Sequence, residues 1–164
     1  MTFLTTSMKT PIGIMQLIAD EHVLLGASFG TLTKVIASLD GVDAVQKINQ
    51  VKRIPVISDL IDDYFDGDVE AINAIAVRQP GAPFSQAAWK AMRKIKAGKV
   101  LSYADLADRS GSPAAVRAAG SACAKNAIVL VVPCHRVVKT GGALGDYAYG
   151  VSKKEWLLRH EGAL

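Results

Sequence analysis

The chain has 164 residues, half of them apolar and 21% charged, which is the composition of a globular and not of a disordered chain. Two cysteines exclude a disulfide framework and a four-cysteine zinc site, and they suit a reducing compartment. The net charge of +4 conceals a division: residues 1–80 carry six Lys/Arg and ten Asp/Glu, residues 81–164 thirteen and five, so the second half suits a polyanionic partner.

In chain order, the first 30 residues read as strands. Thr10-Pro11-Ile12-Gly13 is turn chemistry, and the stretches 14–19 and 22–29 flank Asp20-Glu21 as the arms of a hairpin. A short helix is expected over 31–39, stopped by Asp40-Gly41, and Pro55 breaks any long element in 42–56. Ser58 is placed to cap a helix ending at Phe65, and 71–77 reads as a strand. Gln79-Pro80-Gly81-Ala82-Pro83 is the expected linker between a domain of residues 1–78 and one of residues 79–164.

The second half reads as mainly helical. Ser85 is expected to cap a helix to 96, with Phe84 and Trp89 spaced as a hydrophobic staple. Ser102-Tyr103-Ala104-Asp105 opens a short helix to about 108. After the Ser110-Gly111 turn, Ser112 and Pro113 open an alanine-rich helix to 124. Two short helices about a glycine turn suggest a helix-turn-helix, with Arg117 near the start of its second helix. A Gly/Tyr-rich loop covers 140–150, and Ser152-Lys153-Lys154-Glu155 reads as a capping box for a final helix to 161. No signal sequence and no apolar span long enough for a membrane is evident, so a cytoplasmic protein is expected.

The most informative stretch is the apolar run Ile128-Val129-Leu130-Val131-Val132, which ends at Pro133-Cys134-His135-Arg136. Proline cannot continue a central strand, so the chain must turn, and a thiol, an imidazole and a guanidinium are pinned at the rim of a buried segment. A cysteine is most often a small buried hydrophobe. Here His135 stands next to it as a candidate base, and Arg136 requires a partner if it is buried. On these residues alone a cysteine hydrolase and a group-transfer protein both stay open.

Together, Pro133-Cys134-His135-Arg136-Val137, Ser102-Tyr103, Arg117-Ala118-Ala119-Gly120, Asn126, and Lys154-Glu155-Trp156-Leu157-Leu158 with Glu161-Gly162 resemble the O6-alkylguanine-DNA alkyltransferases. The order and spacing fit from about 84 to 162, and Thr10-Pro11-Ile12-Gly13 matches the family's N-terminal strand turn. The resemblance implies an α/β N-terminal domain with a small, mostly antiparallel, ribonuclease-H-like sheet. It implies a mainly α C-terminal domain carrying a winged helix-turn-helix, used for DNA binding and alkyl transfer. The implied function is direct-reversal DNA repair: the alkyl group of O6-alkylguanine in double-stranded DNA, less well that of O4-alkylthymine, moves irreversibly to Cys134. Each molecule acts once, as a monomer, with no cofactor and no membrane; cooperative binding along DNA is left open. A lesion-binding relative without a nucleophile is the alternative, disfavoured by the presence of Cys134.

The resemblance also assigns roles. His135 acts on Cys134 through a water, Glu161 orients the imidazole, Tyr103 rotates the nucleotide and hydrogen-bonds the departing base, and Asn126 ties the recognition helix to the active-site turn. Arg117 is the finger that fills the vacated base stack; Ser112, Ala115, Ala124 and Lys125 accompany it at the DNA. Cys123, Val137, Tyr147, Ala148, Tyr149 and Lys154 line or rim the base pocket, and Arg136 makes structural ion pairs. The chain departs from the family pattern at Ala127, Ala148, Tyr149 and Cys123. Ala127 in place of proline is expected to loosen the turn, and Tyr149 in place of glycine to narrow the pocket mouth against bulky alkyl groups. With no cysteine before Cys123, no zinc is expected.

Overall fold

The computed structural model describes residues 2–39 and 48–164, which divide into two compact units between Gln79 and Pro80. The expected helix stop at Asp40-Gly41 lies outside the described residues. No described helix is long and apolar enough to cross a membrane.

In the first unit β1 (Phe3–Thr10), β2 (Gly13–Asp20) and β3 (Val23–Ser28) form an antiparallel meander. Two short strands, β4 (Ile48–Gln50) and β5 (Ala76–Val77), join its edges in parallel, giving the order β4-β1-β2-β3-β5. A register shift between Ile18 and Ala19 leaves Leu25 as an extra residue on β3, because Ile18 pairs with Gly26 and Ala19 with Leu24. The helix α1 (Thr33–Ser38) covers Phe3, Ile18, Leu25 and Leu32 through Val35 and Ile36. It comes close because position 26 is glycine: a Cβ there would stand 2.9 Å from Val35.

Two expectations for this unit are corrected. Helix α2 (Ile57–Phe65) starts before Ser58, whose buried hydroxyl instead accepts the Ile54 N–H at 2.9 Å. The turn into the helix is made at Val56, which adopts φ 68°. Residues 71–77 are not one strand: Ala71–Ala74 is a 3₁₀ turn, and only Ala76–Val77 pairs with β3.

In the second unit α3 (Pro83–Arg93) starts with Pro83 in its first turn, where the missing N–H costs nothing; Ser85 therefore lies inside the helix and caps nothing. Trp89 is buried, and its Nε1–H donates to Ala122 O at 2.9 Å. β6 (Leu101–Ser102) leads into α4 (Tyr103–Arg109), and the Ser102 hydroxyl accepts the Asp105 N–H at 3.0 Å, the cap expected from sequence. α5 (Val116–Lys125) starts later than the alanine pattern suggests. The carbonyl of Ser112 accepts the Ala115 N–H in a separate turn, leaving Ser112 and Pro113 outside the helix. The last helix, α6 (Val151–His160), starts from Gly150 at φ 101° with no side-chain cap, so the capping box at Ser152 does not form.

The apolar run 128–132 is not a strand. It is a buried, tightly folded turn closed by Val131 N–H to Val129 O and Val132 N–H to Ile128 O, both 2.9 Å. Its non-glycine residue Leu130 sits at φ 72°, a backbone conformation that the surrounding packing must enforce. A 3₁₀ turn, Cys134–Arg136, follows and feeds β7 (Val137–Val138), which pairs in parallel with β6.

Candidate active site

The β6–β7 pairing assembles the site. Leu101 opposes Val137 and Ser102 opposes Val138, so Tyr103, which follows β6 and begins α4, is held beside the turn that precedes β7 and carries Cys134. A second clamp is Asn126, the residue that follows α5. Its Nδ2 donates to Val132 O at 2.8 Å and its Oδ1 accepts the Ile128 N–H at 3.1 Å. One side chain thus closes the turn 126–132 that delivers Cys134. These bonds hold the turn although Ala127 replaces the proline expected there.

Cys134, His135 and Arg136 are all buried. Three donors converge on one carboxylate: His135 Nε2 lies 2.8 Å from Glu161 Oε2, Arg136 Nε 2.9 Å from Oε1, and Arg136 Nη2 3.0 Å from Oε2. Arg136 Nη1 donates to Ile95 O at 2.7 Å. Burial alone would raise the Glu161 pKa, but the hydrogen bonds and charges of His135 and Arg136 outweigh it and hold the carboxyl down to about 2. A carboxylate only accepts, so the Nε2 of His135 carries the proton and its Nδ1 has a free lone pair. Burial pushes the His135 pKa down, against the pull of Glu161, so the ring is neutral and able to take a proton.

The Cys134 thiol is pushed up by burial, an effect that a side-chain hydrogen bond from Asn126 and the charge of Lys154 only partly oppose. The resting group is therefore a thiol, not a preformed thiolate, and its proton must leave as it reacts. Lys154 is a correction to the sequence expectation: it is not at a rim but fully buried, its Nζ donating to Val137 O at 2.7 Å and Asp146 O at 3.1 Å. It pins the glycine-rich loop to β7 and lies 5.9 Å from the Tyr103 ring centroid. The same loop crosses Tyr103 at Gly145 (φ 76°), where a Cβ would stand 3.2 Å from the phenol oxygen.

A cavity of about 520 Å³ opens in front of Cys134. Of the expected residues it is lined by Tyr103, Arg117, Cys123, Ala124, Cys134, Tyr147 and Ala148. Arg117 is exposed on the first turn of α5. Ser112, Ala115, Lys125, Val137 and Tyr149 do not line it. Ser112 and Ala115 lie in the turn before α5, Lys125 is its last residue, and Val137 is buried behind. Tyr149 stands edge-on to Tyr147, ring centroids 5.9 Å apart. No motif in the sequence marks Val116, Lys139 or Asp146 for the lining, and Gly120 stands out only as one of several small residues on α5. Burial raises the Tyr103 pKa to about 12 and the Cys123 pKa to about 12, so both keep their protons near neutrality. Among the described residues, no three His, Cys, Asp or Glu side chains cluster as a metal ion would require.

Residues 83–163 match the family model for the DNA-binding domain of 6-O-methylguanine DNA methyltransferase. A methylated-DNA–protein-cysteine methyltransferase from Salmonella typhimurium is 37% identical, over 98% of this chain and 96% of its own length. A probable one from Acanthamoeba polyphaga mimivirus is 36% identical over 93% of each. Among solved structures, the O6-methylguanine methyltransferase of Mycobacterium tuberculosis superposes with a TM-score of 0.79 at 28% identity, covering 99% of this chain and 94% of that one. The mycobacterial OGT in complex with DNA gives 0.79 as well, covering 98% of this chain and 93% of that one. With likeness running through both units, the chain belongs to the methylated-DNA–protein-cysteine methyltransferase family.

Proposed function

We propose that this chain repairs O6-alkylguanine in double-stranded DNA by direct reversal, with Cys134 taking the alkyl group irreversibly and each molecule acting once. The observation that carries the reading is the buried row Cys134, His135 and Glu161 behind a cavity of about 520 Å³, ample for a nucleobase, with His135 Nδ1 unprotonated because Glu161 holds the proton on Nε2. Cys134 loses its proton to this base, the sulfur attacks the alkyl carbon in line, and the carbon–oxygen bond breaks with its electron pair passing to the purine. Tyr103, still protonated, donates a hydrogen bond to the leaving base. Positioning of carbon in line with sulfur contributes roughly 7–11 kcal/mol for well-aligned reactants, against about 1.4 kcal/mol for each unit of change in the thiol pKa.

The target atom is hidden inside a duplex, so the nucleotide must be everted, at a cost of a few kcal/mol. We read α4 and α5 as a winged helix-turn-helix, α5 lying against DNA with Arg117 replacing the everted base. The exposed Arg117 at the cavity edge and the charge of +8 on residues 81–164 support this. The first unit is read as the ribonuclease-H-like domain.

The test is to incubate the protein with a duplex holding one O6-methylguanine and analyse its peptides by mass spectrometry. One methyl on the peptide containing Cys134, absent from Cys134→Ser, supports the reading. Lesion binding with no modified peptide would make the chain a lesion-binding protein instead.

A further inference from the structure

We infer that Tyr147 is a positioning residue for the transfer: its hydroxyl, with His135 Nδ1, holds the water that carries the proton from Cys134 to the imidazole. The inference rests on the reading above and deepens it. Two buried side-chain polar atoms are without a hydrogen-bond partner among the described residues, His135 Nδ1 and Tyr147 Oη. Such atoms are rare in a folded protein, and each unsatisfied one costs free energy unless an internal water serves it. Both belong to residues that flank Cys134: His135 follows it in the chain, and Tyr147 shares the lining of its cavity.

The exposure of the two ends of Tyr147 differs in an informative way. The ring lines the cavity, yet the hydroxyl oxygen has essentially no accessible surface. The oxygen therefore points past the wall, not at a base seated in the cavity. Burial holds its proton on, and the charges of Cys134, Tyr149 and Glu161 act on it in the same direction, which places it within electrostatic reach of the nucleophile and of the carboxylate behind His135. One water touching Sγ, Nδ1 and Oη would have three partners, the usual number for a buried water.

The proton step balances. The Sγ–H proton passes to the water oxygen as a water proton passes to Nδ1, leaving a thiolate, an imidazolium held by Glu161, and a neutral water. That water then accepts from Nδ1–H and from the Tyr147 hydroxyl while donating to sulfur. Removing the hydroxyl removes one donor to the water and so disfavours the charged pair. The other titratable or charged groups around this point are Arg136 on the same turn, Lys154 on α6, Cys123 on α5, Tyr103 on α4, and Asp146 and Tyr149 on the loop. Tyr147→Phe leaves all of them in place and keeps the ring.

The experiment compares methyl transfer by wild type and Tyr147→Phe from pH 6 to 10 on an O6-methylguanine duplex. The expected result is transfer about tenfold slower near neutrality, a midpoint moved to higher pH, and rates that converge in alkali, where the thiol ionises unaided. Equal rates throughout, or the same fractional loss at every pH, would overturn the inference. Should the variant fail to fold, a high-resolution crystal structure of the wild type decides. A water about 3 Å from both Nδ1 and Oη supports the inference, and a protein group bonded to Oη overturns it. Wild type that never becomes alkylated at Cys134 removes the underlying reading, whereas alkylated wild type with an unaffected Tyr147→Phe removes only this inference.

Discussion

Replacing Glu161 with glutamine tests the electrostatic core of the site. Two carboxylate oxygens receive His135 Nε2–H and two N–H groups of Arg136. Glutamine offers one acceptor oxygen, and its amide N–H₂ would face a donor. Arg136 is 1% exposed and cannot turn its charge to water. Removing one partner of such a pair costs about 3–5 kcal/mol. A second route gives a similar figure: a carboxyl drawn from 4.5 to about 2 is worth about 3 kcal/mol at roughly 1.4 per unit. Because the folded-state pKa is depressed, this stabilisation is complete above about pH 4.5 and disappears as pH falls through about 2. Urea unfolding at pH 7 is therefore expected to show Glu161→Gln about 3 kcal/mol less stable than wild type, with the gap closing towards pH 2. Arg136→Met/Glu161→Gln, which leaves the glutamine oxygen to His135 alone, is expected to recover most of the loss. A gap below about 1 kcal/mol at pH 7, or one that persists unchanged into acid, would refute the assignment of Glu161 as the counter-charge of Arg136 and the acceptor for both groups.

Other outcomes follow from the same geometry. Burial raises the Cys134 thiol and lowers His135, so the transfer rate is expected to hold at pH 6 and keep rising above pH 8; a maximum at neutrality in the pH–rate profile would contradict this. The lowered His135 pKa also favours folding above about pH 6.5, and this contribution is lost as pH falls below it, an acid sensitivity that a His135→Gln variant should lack in thermal melts. Arg117→Ala is expected to slow transfer from duplex DNA about tenfold while leaving the reaction with free O6-benzylguanine nearly unchanged; equal losses on both would exclude a role in eversion. A benzyl group is expected to transfer more slowly than a methyl group. Tyr149→Gly should raise the benzyl-to-methyl ratio measured in competition, and an unchanged ratio would show that Tyr149 does not limit the size of the alkyl group.

The chemistry of this protein was legible in its sequence because it rests on residue types held at fixed local spacing. Cys134, His135 and Arg136 are consecutive, and proline before them forces the turn. The Ser102 cap, the β1–β2–β3 meander and the break near Gln79 follow from local alternation and turn chemistry, which need no distant partner. Helix starts were less legible. Ser58, Ser85, Ser112 and Ser152 all carry capping side chains, yet each lies beside a turn or proline that had already set the backbone, so the serine signal was outweighed.

What only the tertiary structure decided was the meaning of the charged groups. Lys154 reads as a surface lysine or a pocket rim in one dimension, and becomes a buried clamp because Val137 and Asp146 bring two carbonyls to it from different segments. Tyr149 is only an aromatic in a glycine-rich stretch until the folded loop turns its ring edge-on to that of Tyr147. The protonation pattern of Cys134, His135 and Glu161 likewise depends on how much water each group loses and which charges replace it. Residue type fixes which atoms can react; desolvation and long-range contact fix which of them hold a proton, and those quantities exist only after the chain has folded.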